Sequence, residues 1–101
     1  MQAQMFGNRI QERRLRNASK SLKALREELR VASEQLEHVI DDERDKEMRA
    51  LVSETPLAAR EFEDARRHRH VLEGYVVRVR AQITDLELLQ DALLDRMIDR
   101  G

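Results

Sequence analysis

Cysteine and tryptophan are absent, proline occurs once, glycine three times, and aromatic residues make up only 3% of this 101-residue chain. The absence of cysteine excludes a disulfide framework and any zinc site built on thiolates, and fits a reducing compartment. With Tyr75, Phe6 and Phe62 as the only aromatics, a thick globular core is not expected and an elongated helical protein is. No apolar run approaches the ~20 residues that cross a bilayer, so no membrane partner is expected. The opening "MQAQMFGNRIQERR" lacks the basic end, apolar stretch and small-residue cleavage site of a signal peptide. The cytoplasm is the expected compartment. Three glycines leave no room for a glycine-rich phosphate loop, and the length suits a single domain.

What is present is charge, at 39% of residues, and regularly spaced leucine. Leu15, Ala18, Leu22, Leu25, Leu29, Ala32, Leu36 and Val39 follow one another at alternating gaps of three and four, which is the spacing of a heptad seam. Phe62, Ala65, Arg69, Leu72, Val76, Val79, Ile83, Leu86, Gln90, Leu93 and Met97 repeat the rule, with Arg69 and Gln90 as polar exceptions. A disordered chain has no reason to keep that spacing.

Between the two seams lies the single proline. Thr55 suits an N-cap, its hydroxyl accepting a backbone N–H, and Pro56 suits the first helical position, where its missing N–H costs nothing. Proline also pushes the residue before it out of helical dihedrals, so the first helix should end near Val52 or Ser53. Asn8 with Gln11 resembles a capping box, and Gly7 makes a break before it. These signals predict a leader over 1–7, one helix over 8–52, a turn over 53–55 and a second helix over 56–99, in a single domain over 8–101. Each helix would be about 65 Å long.

Folding back at residue 54 pairs residues whose numbers sum to about 108: Leu15 with Leu93, Leu22 with Leu86, Leu25 with Ile83, Leu29 with Val79, Ala32 with Val76, and Leu36 with Leu72. One antiparallel register thus serves both seams. The expected fold is all-α: an antiparallel two-helix coiled-coil hairpin.

That register also sorts the charges. Arg9, Arg13, Arg14, Arg16, Lys20, Lys23 and Arg26 stand against one acid, Glu12, and alone would read as a nucleic-acid patch. Folding back sets them beside Asp85, Glu87, Asp91, Asp95 and Asp99. The acidic run Glu37, Asp41, Asp42, Glu43, Asp45 and Glu47 likewise falls near Arg60, Arg66, Arg67 and Arg69. Such exposed pairs contribute only ~0–1 kcal/mol each, but blocks of opposite sign disfavour a parallel alignment. With a formal net charge of −1 and no aromatics along the basic arm, nucleic acid is not expected as a partner.

Chemistry has little to build on. His38, His68 and His70 lack the i, i+4 spacing of a helical zinc pattern, and Ser19, Ser21, Ser33 and Ser53 have no histidine and carboxylate arranged as a triad. No metal, no cofactor and no catalytic residue is expected, so the chain reads as a non-enzyme.

Residues outside the seam are more telling. Tyr75 and Leu89 flank it, while Val77, Ala81, Thr84 and Leu88 form a weaker second stripe. The leader, with Met5 and Phe6, folding back over this stripe is one reading. The other is self-association, because a lone hairpin buries only one stripe per helix and two hairpins could form a four-helix bundle. Gly74 in mid-helix costs ~1 kcal/mol relative to alanine, which close approach of another helix would explain. Tyr75, Val77, Ala81, Leu88 and Leu89 are therefore the expected association face, and a homodimer the expected product.

"ALREEL" (Ala24 to Leu29) and "EFEDARRHRHVLEG" (Glu61 to Gly74) resemble the two helix segments in the N-terminal coiled coil of the Gre transcript-cleavage factors of bacterial RNA polymerase. Ser53 and Glu54 resemble that family's acidic tip motif, with Leu51 standing where its first tip acid falls. The resemblance covers about half of the chain. It implies insertion of the hairpin into the polymerase secondary channel, with the tip, Leu51, Ser53 and Glu54, acting near the catalytic magnesium. Two functions thus emerge as expectations: a helix-mediated association protein that binds itself and an unidentified protein, and a polymerase regulator acting through its tip.

Overall fold

The computed structural model describes the backbone of residues 2–99 and the side chains of residues 9–98. Helix α1 runs Gln2–Ser53 and helix α2 runs Pro56–Asp99, joined as a hairpin through Glu54 and Thr55. No strand occurs among the described residues.

The turn follows its local chemistry. The Thr55 hydroxyl accepts the backbone N–H of Ala58 at 3.1 Å, and the Thr55 carbonyl accepts that of Ala59 at 3.1 Å. Pro56 is the first residue of α2, where its ring fits a helical φ and no donor is lost. Glu54 closes α1 in the left-handed region, φ 52°, and its N–H donates to the Ala50 carbonyl at 3.1 Å. This is the usual left-handed helix stop, filled here by a residue with a Cβ rather than by glycine.

The other end departs from expectation. Residues 2–7 are helical and continue α1, so the helix begins before Asn8. Gly7 costs the helix only ~1 kcal/mol, which does not stop it here. Gln11, the expected capping-box partner of Asn8, instead takes a seam position at 7% exposure. Its side-chain carbonyl is buried without a hydrogen-bond partner. The side chains of Met5 and Phe6 lie outside the described residues.

Along each helix the buried and half-buried positions keep the three-four alternation without a break. On α1 they run from Gln11 through Leu22, Leu29, Leu36 and Val39 to Glu43, Lys46 and Ala50; on α2 they run from Ala58 through Arg69 to Met97. The seam therefore extends past Val39, through polar residues.

Contacts divide the hairpin into two units. The turn unit, Leu29–Arg78, has Ala32, Ala58, Ala65 and Val76 as its buried apolar residues, with Leu36, Phe62 and Leu72 half-buried. The terminal unit, Met1–Glu28 with Val79–Gly101, buries Ala18, Leu22, Val79, Ile83 and Leu93, with Leu25 and Leu86 half-buried. Among the described residues only Leu22 and Leu93 are large side chains fully removed from solvent. Each contributes about 1.5–3 kcal/mol, and alanines contribute less, so the seam is thin.

Because Glu54 holds a left-handed conformation that disfavours a Cβ by roughly 1 kcal/mol, Glu54→Gly should stabilise the hairpin by about that amount. Urea unfolding followed by circular dichroism would read this as a raised midpoint; a lowered midpoint would show that the Glu54 side chain itself holds the turn.

Candidate interaction surfaces

Arg69 and Gln90, both at seam positions of α2, hydrogen-bond across to α1. In the turn unit Arg69 Nε donates to Glu43, while its Nη1 donates to Glu73 one turn along α2 at 3.0 Å. Both Glu43 and Arg69 occupy seam positions, with side chains only 13% and 26% exposed. These bonds, first to Glu43 and then to Glu73, push the Arg69 pKa above its ordinary value. Its charge is therefore present wherever arginine is protonated, and the tie is not lost as pH rises through the neutral range. In the terminal unit Gln90 Nε2 donates to Ser19 Oγ at 2.9 Å. Arg69 and Gln90, the two exceptions in the apolar pattern, thus each hydrogen-bond across it.

The remaining ion pairs are exposed. Arg26 meets Glu87 at 3.6 Å, the one cross-helix pair observed between the basic arm and the acids set opposite it. Arg49 meets Glu61 at 3.9 Å. Arg66 and Arg67 turn to Glu63 and Asp64 on their own helix, at 3.7 and 2.5 Å, rather than to the acidic run of α1. Local i, i+3 partners are nearer than any cross-helix acid.

The expected association residues fall into two sets. In the turn unit Tyr75 is half-buried and Val77 is 64% exposed. In the terminal unit Leu88 is 63% exposed and Ala81 is exposed, whereas Leu89 is 36% exposed. Helix geometry explains the difference. Leu89 precedes the seam residue Gln90 and borders the helix interface, while Leu88 stands two residues from both Leu86 and Gln90 and points away. Thr84 already donates its hydroxyl to the Arg80 carbonyl at 3.1 Å. A Cβ built on Gly74 would meet only Arg78 Nη1, at 3.4 Å, so no neighbouring helix of this chain requires a glycine there.

The terminal unit carries a groove beside Leu89. One stretch, about 260 Å3, is lined by Arg14, Asn17, Ala18, Ser21, Leu86 and Leu89. A second, about 540 Å3, continues past Ser21 and Leu86 to Ala24, Leu25, Gln82 and Asp85. The groove's α1 wall is Arg14, Asn17, Ala18, Ser21, Ala24 and Leu25, and its α2 wall Gln82, Asp85, Leu86 and Leu89.

At the turn, Met48, Leu51, Val52 and Leu57 are 63–78% exposed, and Ser53 and Glu54 are exposed beside them. Of these, Leu51, Ser53 and Glu54 were expected at the tip; Met48, Val52 and Leu57 were not, because they interrupt no pattern in the sequence.

Further along the turn unit, a shallow cleft of about 250 Å3 is lined by Asp42, Lys46, Glu61, Asp64, Ala65 and His68, and Lys46 there bonds both oxygens of Asp42 at 3.0 and 3.1 Å. His38, His68 and His70 are exposed. Among the described residues no group of three or more histidine, aspartate or glutamate side chains is placed to hold a metal ion, and no helix is long and apolar enough to cross a membrane.

Neither a family model, nor a curated protein, nor a solved structure matches this chain.

Glu43→Ala should lower the melting temperature, since it strands the Arg69 guanidinium in the seam without its cross-helix acceptor. Replacing both residues by leucine should raise it above wild type while weakening the preference for one register. Thermal melts of the two variants check the first outcome, and equal melts for wild type and Glu43→Ala would remove the tie from the seam's energetics.

Proposed function

We propose that this chain is a non-enzymatic, cytoplasmic association module that works through helix-mediated pairing with itself and with another protein. The observation that carries the reading is the apolar surface left over by a thin seam. Val77, Leu88, Leu94 and Ile98 on α2 are 41–73% exposed, and Ile10 and Val31 on α1 are 45% and 40% exposed. Single exposed leucines are ordinary, but this many on a hairpin with two fully buried large side chains is not.

The test is the molar mass in solution. Sedimentation equilibrium over a concentration series should give at least twice the 11.9 kDa of one chain. A mass that stays at one chain up to about 100 μM, where even a weak interaction with a dissociation constant in the micromolar range would be populated, would overturn self-association.

A second reading has an observation of its own. The exposed Met48, Leu51, Val52 and Leu57 at the turn favour contact with a second protein there, and RNA polymerase is the candidate suggested by the sequence likeness to the Gre coiled coil. Leu51→Glu with Leu57→Glu should abolish binding to purified bacterial core polymerase with the circular dichroism spectrum unchanged. Binding that survives both substitutions would remove the turn from the contact.

A further inference from the structure

The seam keeps its alternation along each helix but not across the turn. On α1 the seam positions Glu43, Lys46 and Ala50 require Ser53 and then Leu57 as the next members. Instead Ser53 is exposed, Leu57 is 63% exposed, and Ala58 is the buried residue at 6%. From Ala50 to Ala58 the interval is eight residues, one more than a gap of three and a gap of four supply. Along an unbroken helix that extra residue would turn the α2 stripe by about 100° from the α1 stripe.

A hairpin and an open chain compete for the same seam. Because facing residues have numbers that sum to about 108, a second copy laid antiparallel offers α1 the same residues, in the same register, as its own α2 does. The seam residues therefore do not distinguish the two pairings, and the choice falls to the connection. In the open form each chain would run through residues 53–57 as helix, and two copies would exchange helices to share two seams. Two features oppose that form. Within a continuous helix Pro56 has no N–H to give the Val52 carbonyl, its ring clashes there, and it drives Thr55 out of helical dihedrals. Separately, the eight-residue interval would aim the α2 stripe away from the copy whose α1 it must meet. In the closed hairpin neither feature costs anything, since Pro56 is the first residue of α2 and the reversal through Glu54, φ 52°, resets the phase.

We infer that the turn is a device that selects pairing within one chain over exchange of helices with a second copy, and that it does so by two independent means, Pro56 and a one-residue shift of phase. Copies that associate, as proposed above, then do so as closed hairpins.

The chain has no cysteine, so introduced thiols can carry spin labels at chosen places. Glu37→Cys with Val71→Cys puts one label on each helix of the turn unit, at exposed positions. Refolding the labelled full chain with a large excess of unlabelled chain leaves only the distance within one chain to be read by electron double resonance. A closed hairpin gives less than about 30 Å, since packed helices lie about 8–10 Å apart before the labels' reach is added. An open chain gives about 50 Å along one helix. The wild-type turn should give the short distance, and so should Pro56→Ala, which keeps the phase shift. Deletion of Thr55 together with Pro56→Ala restores the alternation through the turn and should move the distance to about 50 Å, with helicity by circular dichroism retained. A long distance in the wild type or in Pro56→Ala overturns the inference, as does a helical deletion variant that keeps the short one. Molar mass does not enter, so a monomeric wild type overturns self-association and leaves the closed turn standing.

Discussion

Everything in this hairpin depends on one constraint: two helices alone can share only a single seam. Each helix meets the other along positions three and four residues apart, from Gln11 to Ala50 on α1 and from Ala58 to Met97 on α2. The alternation holds even where the residue is glutamate, lysine or arginine. That persistence shows that register, rather than local hydrophobicity, decides what lies between the helices. Once the turn sets the phase of α2 against α1, every fourth and third residue is committed to the interface whatever its chemistry.

Register in turn needs a device that apolar residues do not supply. Leucine and alanine at heptad spacing tolerate a slip of seven residues, since one heptad looks much like the next. A slip of that kind breaks the bond from Arg69 to Glu43 in the turn unit and the bond from Gln90 to Ser19 in the terminal unit. The half-buried Arg69–Glu43 tie costs desolvation, the exposed Gln90–Ser19 bond does not, and both favour the same register. With a tie in each unit, both parts of the hairpin carry their own alignment mark. The turn adds a third constraint, because Thr55 capping Ala58 and Glu54 closing on Ala50 admit only a two-residue connection.

These roles were unequally legible in the sequence. Thr55 and Pro56 announced the turn because their chemistry is local: a hydroxyl at the right offset and a ring that fits one position. The all-α hairpin followed from apolar periodicity for the same reason. The start of α1 was misread because a capping box is permissive, not compulsory, and Gln11 had a competing use as a seam residue. Glu43, Lys46 and Ala50 were missed because the search for a seam followed apolar residues and stopped at Val39. The signal was partly there, since Arg69 stood out as an exception, but the register sets it against Val39, and Glu43, one helical turn further along α1, is the acid its side chain reaches. Leu88 and Leu89 could not be separated by composition. Their difference lies in which side of α2 borders the interface, and only the phase of the helix settles that.

The surface left over by the seam is where function has room to reside. Among the described residues that surface is apolar or concave at two places. The turn presents Met48, Leu51, Val52 and Leu57 as exposed apolar side chains in a chain whose seam buries few large ones. The terminal unit presents a groove whose walls mix apolar, polar and charged side chains from both helices. Both features follow from the single seam: a helix that shares one stripe with its neighbour leaves the rest of its circumference to solvent, so any apolar residue off that stripe stays exposed.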